Sequence, residues 1–391
     1  MGNLVPVPLV IAVVLLLLGA ERSMFRMNRK LLWPLFLFYL WHIIGMLWTT
    51  DLAFGWFDLQ IKLVLMILPL AAVILFAQLG PLALHRSMIT FSIGLLVAMV
   101  LSLRSALICY SANGWMECFT QSYLAFDLHP SYLAWFACWA VWYWADRLSL
   151  GSGSRAGRWV IAIGLVLAIV FIVMLASKSG YITLAIVLGW SLVKALRLAS
   201  GYMRYAILGI ALSAALLPSI LLRDIIERRI AEGWNAVAHV RDGIGMAADG
   251  EGSSERMVAW ACSWEVLKSD PLGAGTGDVK HAMVRCYGER GATQAEKKRL
   301  NSHDQFLQGG AALGWVGLLL TLALALVPIR IGWSTRYRPL LLFSLLFIIT
   351  ASVESVLEVQ AGTVFYGAFF GLLASIQLAR SSAPRSSAVP P

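Results

Sequence analysis

RWVIAIGLVLAIVFIVMLASKSGYITLAIVLGWSLVKALR, Arg158–Arg197, holds two apolar runs, 158–176 and 180–196, turned about Ser177-Lys178-Ser179-Gly180. Each run approaches the ~20 apolar residues a helix needs to cross a hydrocarbon core of about 30 Å. In hydrocarbon a backbone must satisfy its own hydrogen bonds, so such runs are helices. The stretch therefore predicts a membrane-spanning helical hairpin with its arginines at one end.

The pattern repeats outward. Runs of spanning character fall near 4–20, 31–48, 58–79, 87–107, 128–146, 204–222, 304–329, 339–353 and 361–379, which makes eleven in all. Of the 391 residues 59% are hydrophobic and 13% charged, and the mean hydropathy is +0.76. A soluble domain of this size cannot bury so much apolar surface. The first run has no basic segment before it and no small-residue cleavage site, so it reads as a retained helix. The net charge of +10 is spread as short clusters between apolar runs. A nucleic-acid surface would gather it on one face, so nucleic-acid binding is not expected.

Loop charges set the orientation. Arg22, Arg26, Arg29 and Lys30 follow the first run, Arg86 the third, Arg147, Arg155 and Arg158 the fifth. Lys194, Arg197 and Arg204 follow the seventh, Arg330, Arg336 and Arg338 the ninth, and Arg380 and Arg385 lie in the tail. The alternate connections carry Asp51, Asp58, Glu117, Asp127, Glu354 and Glu358. The positive-inside rule places the first set in the cytoplasm, so the N-terminus is outside and the C-terminus inside. The expected organisation is spans 1–222, a large outer loop 223–302, spans 303–379 and a cytoplasmic tail 380–391. Cys109, Cys118, Cys262 and Cys286 fall on the outer side, where disulfides are compatible with the compartment, with pairing open.

The loop 223–302 carries twelve basic and twelve acidic residues and must face water. Helices are expected from Arg223 to about Val240 and from near Arg256, where Met257, Trp260, Trp264 and Leu267 recur at helical spacing. The second should stop at Asp270-Pro271. The following Leu272-Gly273-Ala274-Gly275-Thr276-Gly277-Asp278 reads as a tight turn, either a helix stop or a set of N–H groups for a phosphate. No Lys-Ser/Thr follows its last glycine, so it is not a P-loop.

The ninth run opens Asn301-Ser302-His303-Asp304-Gln305. Ser302 with Gln305 has capping-box spacing, which would put His303 in the first turn. Partial positive charge at a helix start disfavours imidazolium, suiting a general base beside a phosphate leaving group. The plain alternative is an interfacial cap residue. Three cations, Lys62, Arg104 and Lys178, lie near outer span ends against the orientation rule. They predict either one anionic site or snorkelling to headgroups.

These segments resemble the bacterial O-antigen ligase and polymerase superfamily. The resemblance rests on His129-Pro130-Ser131-Tyr132-Leu133, Ser177-Lys178-Ser179-Gly180, Arg256 to Trp260, and the turn 270–278. It rests also on Asn301 to Gln308, Leu313-Gly314-Trp315-Val316-Gly317 and Glu354-Ser355-Val356-Leu357-Glu358. It implies an all-α polytopic inner-membrane protein with one large, mainly helical periplasmic loop. It implies a glycosyltransferase that moves a glycan from undecaprenyl diphosphate to a sugar hydroxyl, inverting the anomeric centre without a metal or other cofactor. The acceptor would be lipid A–core for a ligase, the favoured reading, or a second lipid-linked repeat for a polymerase. Carried over residue by residue, His303 is the base and Arg256 the loop arginine. Lys178, Lys62, Arg104, Arg285 and Arg290 would supply the diphosphate with cations, and His129, Tyr132, Asp304 and Glu354 would support them. Lys178 stands where many members have Arg, exchanging a bidentate grip for a point charge. Asp304 stands where Asn is common, which puts a carboxylate beside the histidine. A transporter or a non-catalytic assembly partner are the competing classes. No internal repeat or broken helix is evident in the sequence to favour transport.

Overall fold

The computed structural model describes residues 29–76, 81–125, 128–151, 153–201, 231 and 253–382. The expected spans 4–20 and 204–222, the loop helix Arg223–Val240, Asp127 and the tail beyond 382 lie outside these residues. Among the described residues every regular element is helical. The main helices are α1 (Arg29–Gly45), α2 (Leu52–Phe76), α3 (Pro81–Asn113), α4 (Pro130–Ser149), α5 (Arg155–Met174) and α6 (Lys178–Leu198). They continue as α7 (Ser253–Ser269), α8 (Val279–Glu289), α9 (Thr293–Lys298), α10 (Gln305–Ser334), α11 (Arg338–Ala351) and α12 (Gln360–Ser382).

Among the described residues six helices, α1, α2, α3, α5, α6 and α10, are long and apolar enough to cross a membrane. Of the eleven expected spans, three others fall on helices outside that set. The run at 339–353 is α11, only 14 residues long, or about 21 Å at 1.5 Å per residue. The run at 128–146 is α4, whose Tyr132, Trp135, Trp139, Trp142, Tyr143 and Trp144 dilute its aliphatic content and are all buried. The run at 361–379 is α12, a 23-residue helix.

The chain divides into two compact units, one of residues 1–89 with 258–391 and one of residues 90–257. In the first, α12 packs along α2. A Cβ on Gly371 would stand 2.5 Å from the Pro69 Cα, the close backbone approach that small residues permit. Phe343 and Phe347 of α11 meet Tyr366 of α12, whose hydroxyl donates to the Leu324 carbonyl of α10 at 2.7 Å. In the second unit α4 is the central helix. Ala134 lies against Gly180 of α6, Trp144 lies over Gly164 of α5, and the Trp144 indole donates to Ser92 of α3 at 3.0 Å.

The ninth expected span, 304–329, is not one straight helix. Backbone angles leave the helical region at Leu313 (φ −133°, ψ 23°) and Gly314 (φ 67°, ψ −161°). In a continuous helix residues 309 and 317 would lie about 12 Å apart. Here a Cβ on Gly317 would meet the Gly309 carbonyl at 2.2 Å. The limbs 305–312 and 315–334 therefore fold back on each other through glycines. The break frees backbone groups that hydrocarbon cannot satisfy, and the turn after α7 takes them up. Ala274 and Gly275 N–H donate to the Ala311 and Ala312 carbonyls at 2.9 and 2.8 Å, and Trp315 N–H donates to the Pro271 carbonyl at 3.2 Å. The Trp41 indole donates to the Leu313 carbonyl at 3.0 Å. The expected absence of a broken helix thus gives way to a sharp break.

Candidate functional site

The segment 301–308 enters α10 two residues later than its capping-box spacing suggests. Asp304, extended at φ −156°, is the N-cap and accepts from the Leu307 N–H, at 2.8 Å. Aspartate caps as well as serine, and His303 at φ 46° is left-handed and cannot begin the helix. Ser302 turns inward, donating to the Gln308 side-chain oxygen at 2.8 Å and accepting from Ser263 at 2.7 Å. Burial raises the Asp304 carboxyl to about 6, against the pull of the Leu307 and Phe306 N–H groups.

The left-handed turn carries the His303 imidazole off the helix. Its main chain is held by Asn301 Oδ1 on the N–H at 3.1 Å and by the Trp260 indole on the carbonyl at 3.3 Å. Its Nδ1 lies 3.2 Å from Oε2 of Glu354, whose side chain is 4% exposed against 20% for the histidine. Were Glu354 ionised, it could only accept; the proton would then sit on Nδ1 and Nε2 would keep the basic lone pair. Asp304, which the sequence offers as a partner for the histidine, caps the helix instead. Glu354 takes that place.

Beside this pair lies a buried ion cluster. Lys62 of α2 is 1% exposed and donates to Asp58 and, at 2.9 Å, to Glu358. Gln305 donates to Glu358 at 3.0 Å and accepts the Leu357 N–H at 2.6 Å. Burial works against ionisation of Glu358, but Lys62 and the Gln305 amide outweigh it and hold the carboxyl below its usual range. Lys62 is thus compensated by carboxylates of its own chain. Arg290 is likewise paired with Glu265, while Arg285 is exposed. The turn 272–278 spends its Ala274 and Gly275 N–H groups on α10, and Asp278 accepts from the Thr50 and Asp51 N–H groups at 2.6 and 2.8 Å. It is a docking turn and a helix stop, as the simpler of the two readings has it. Cys262 and Cys286 form a disulfide joining α7 to α8.

In the second unit two of the quoted motifs meet. His129 caps α4, its Nδ1 accepting from Ser131 N–H, and its ring lies edge-on to Tyr132 at 6.2 Å. Ser131 Oγ is 3.0 Å from Ser177 Oγ, and Ser177 caps α6, whose first residue is Lys178. Arg256 is half-buried in the first turns of α7. Arg104 is exposed on α3 among exposed Leu101, Leu103 and Leu107, the setting of a snorkelling arginine. Cys109 and Cys118 form the second disulfide.

Together these features define a multi-pass, all-helical membrane protein carrying a histidine–carboxylate pair at the entry to a broken helix. Residues 163–322 match the family model described as O-Antigen ligase, and the match supports the resemblance to the O-antigen ligase and polymerase superfamily over that segment. No curated protein matches the chain. The matched segment contains Lys178, Arg256 and His303 and stops short of Glu354. The Glu354 contact and the Lys62–Glu358–Gln305 cluster were missed as an arrangement, since 51, 296 and 53 residues separate the bonded partners along the chain.

Proposed function

We propose that the protein is a periplasmic, metal-independent O-antigen ligase. It would move a glycan from undecaprenyl diphosphate to a sugar hydroxyl of lipid A–core at the outer face of the inner membrane. The observation that carries this reading is the Nδ1 to Oε2 distance of 3.2 Å between His303 and Glu354. On this reading Glu354 is ionised and holds the Nδ1 proton, so Nε2 serves as the general base. Nε2 takes the acceptor hydroxyl proton, the oxygen attacks the anomeric carbon, and that carbon's bond to the diphosphate oxygen breaks with inversion. The electron pair leaves with the diphosphate, and Glu354 stabilises the imidazolium that forms. Arg256 and Lys178 are assigned to the charge developing on the leaving group. Lys62 is assigned to the internal cluster, where two carboxylates already engage it. The two disulfides support an oxidising compartment for their segments.

The test is transfer per inserted protein in a strain lacking the chromosomal copy. His303→Ala should lose about 10²–10⁴ in rate, the usual worth of a general base. Glu354→Gln should lose part of that while donor binding persists. Near-normal transfer by His303→Ala would remove the catalytic assignment. In the deletion strain, loss of all O-chain with accumulated lipid-linked polymer means ligase. Core bearing a single repeat means polymerase and overturns the acceptor named here.

A further inference from the structure

A cleft of about 220 Å³ opens next to the His303 segment, lined by Phe54 and Phe57 of α2, Lys280 of α8, and Arg299, Asn301 and Gln308. Of these, Phe54, Phe57, Lys280 and Arg299 belong to none of the quoted motifs, while Asn301 and Gln308 are the two ends of one. We infer that this cleft binds a phosphate-bearing sugar ring of the acceptor, an inference that rests on the transferase reading above.

Three observations carry it. The first is charge. Lys280 is half-buried with its ammonium 5.7 Å from the Phe54 ring centre, and Arg299 is exposed at the left-handed end of α9, φ 49°. Among the described residues neither has a carboxylate partner. Asp58 and Glu358 also line the cleft, but both are bound to the buried Lys62 behind it, which leaves Lys280 and Arg299 as the cleft's own unpaired charges. The second is donors without acceptors. Gln308 uses its oxygen for Ser302 and Asn301 its oxygen for His303. The amide nitrogens of both have no acceptor among the described residues. Ammonium, guanidinium and two amides make a lining rich in N–H groups, which suits the three oxygens of a phosphate better than the two of a carboxylate. The third is size and shape. The volume lies below the range of about 300–1,000 Å³ for drug-sized ligands, and the phenylalanines supply apolar faces, so the fit is one ring rather than a chain. Asn301, which lines the cleft, accepts from the His303 N–H, so the cleft adjoins the segment that carries the base. The base acts on the acceptor hydroxyl, and in an inverting displacement the diphosphate departs from the opposite side.

The experiment uses the full chain in detergent with a lipid-linked glycan donor and two acceptors, lipid A–core and the same molecule dephosphorylated with hydrofluoric acid. Lys280→Ala/Arg299→Ala alters exposed or half-exposed side chains, so folding should survive. Loss of two charged hydrogen bonds should raise the acceptor KM tenfold or more. The donor KM should stay within about twofold, and the dephosphorylated acceptor should show no difference between the variant and the parent protein. A rise in donor KM instead would mean that the cleft grips the diphosphate, and would overturn the inference. So would an unchanged acceptor KM, or an effect seen only in vesicles of phosphatidylglycerol and not of phosphatidylcholine. A binding arm separates failure of the inference from failure of the transferase reading. His303→Ala protein, which should not turn over, is titrated with fluorescently labelled core oligosaccharide with and without phosphate. If the parent protein transfers nothing but the phosphate-dependent binding remains and is lost in the double variant, the cleft stands and the reaction does not. If binding ignores phosphate, the cleft inference fails whatever the reaction.

Discussion

His303 occupies a left-handed backbone position, φ 46°, a conformation that costs a non-glycine residue about 1–3 kcal/mol. It is held there by Asn301, Trp260 and the cap at Asp304. The capping assignment has a consequence for pH. Burial raises the Asp304 carboxyl above its ordinary value to about 6. A raised carboxyl favours the folded state at low pH, and that stabilisation fades as pH rises from about 4 through 6. Asp304→Asn keeps a capping oxygen and removes the charge. Thermal unfolding of parent and variant should therefore converge near pH 4, with the variant the more stable above pH ~6. A parent more stable than the variant at neutral pH would show that the carboxylate is wanted ionised. Lys62 makes a second residue-scale case. If it serves Asp58 and Glu358, Lys62→Met strands two buried carboxylates and costs about 3–5 kcal/mol. Adding Asp58→Asn and Glu358→Gln should restore part of the unfolding temperature. A stable Lys62→Met protein with weakened donor use would return the lysine to the diphosphate site.

At the scale of elements, the break in α10 does the positioning. Gly314 has φ 67°, ψ −161°, and a Cβ there would stand 1.9 Å from the Pro271 carbonyl oxygen. Only glycine fits, for backbone and space alike. Gly314→Ala should lose on the order of 3 kcal/mol or more, read as a fall in folded yield and unfolding temperature of the full chain. Unchanged stability would mean that the limbs 305–312 and 315–334 tolerate another geometry. The Cys262–Cys286 bond works on the same region from the other side. It closes α7 and α8 across 24 residues, worth about 3 kcal/mol by the loop-entropy estimate.

At the scale of the whole molecule, orientation is the open quantity. Among the described residues six helices meet the requirements of a span, and we propose from the charge pattern that the N-terminus is outside and the C-terminus inside. Alkaline phosphatase fused after Asp51, Gly114 or Asp249 should be active, and after Lys30, Gly153 or Arg336 inactive. An active fusion at Gly153 would reverse the first half and place the Cys109–Cys118 bond on the reducing side, where disulfides rarely persist.

Read alone, the sequence determined the solvent and the material of the fold. Apolar runs such as 158–176 leave no choice but helix in hydrocarbon, because each backbone group must be satisfied locally. It also marked His303, Ser177-Lys178-Ser179-Gly180 and the glycine turn at 273–277, since caps, turns and helix stops are short-range chemistry. The fold-back at Leu313–Gly314 was only half written, in the cluster Gly309, Gly310, Gly314 and Gly317. A glycine permits a break but does not require one, and the break holds because the turn after α7 and Trp41 take up the freed carbonyls. The partner of the histidine was decided by tertiary structure alone. Asp304 is adjacent and Glu354 is 51 residues away, yet the neighbour's carboxylate is drawn to helix N–H groups and the distant one reaches the imidazole. Hydrogen bonds follow distance in space, and for a side chain at a helix entry that distance is set by packing.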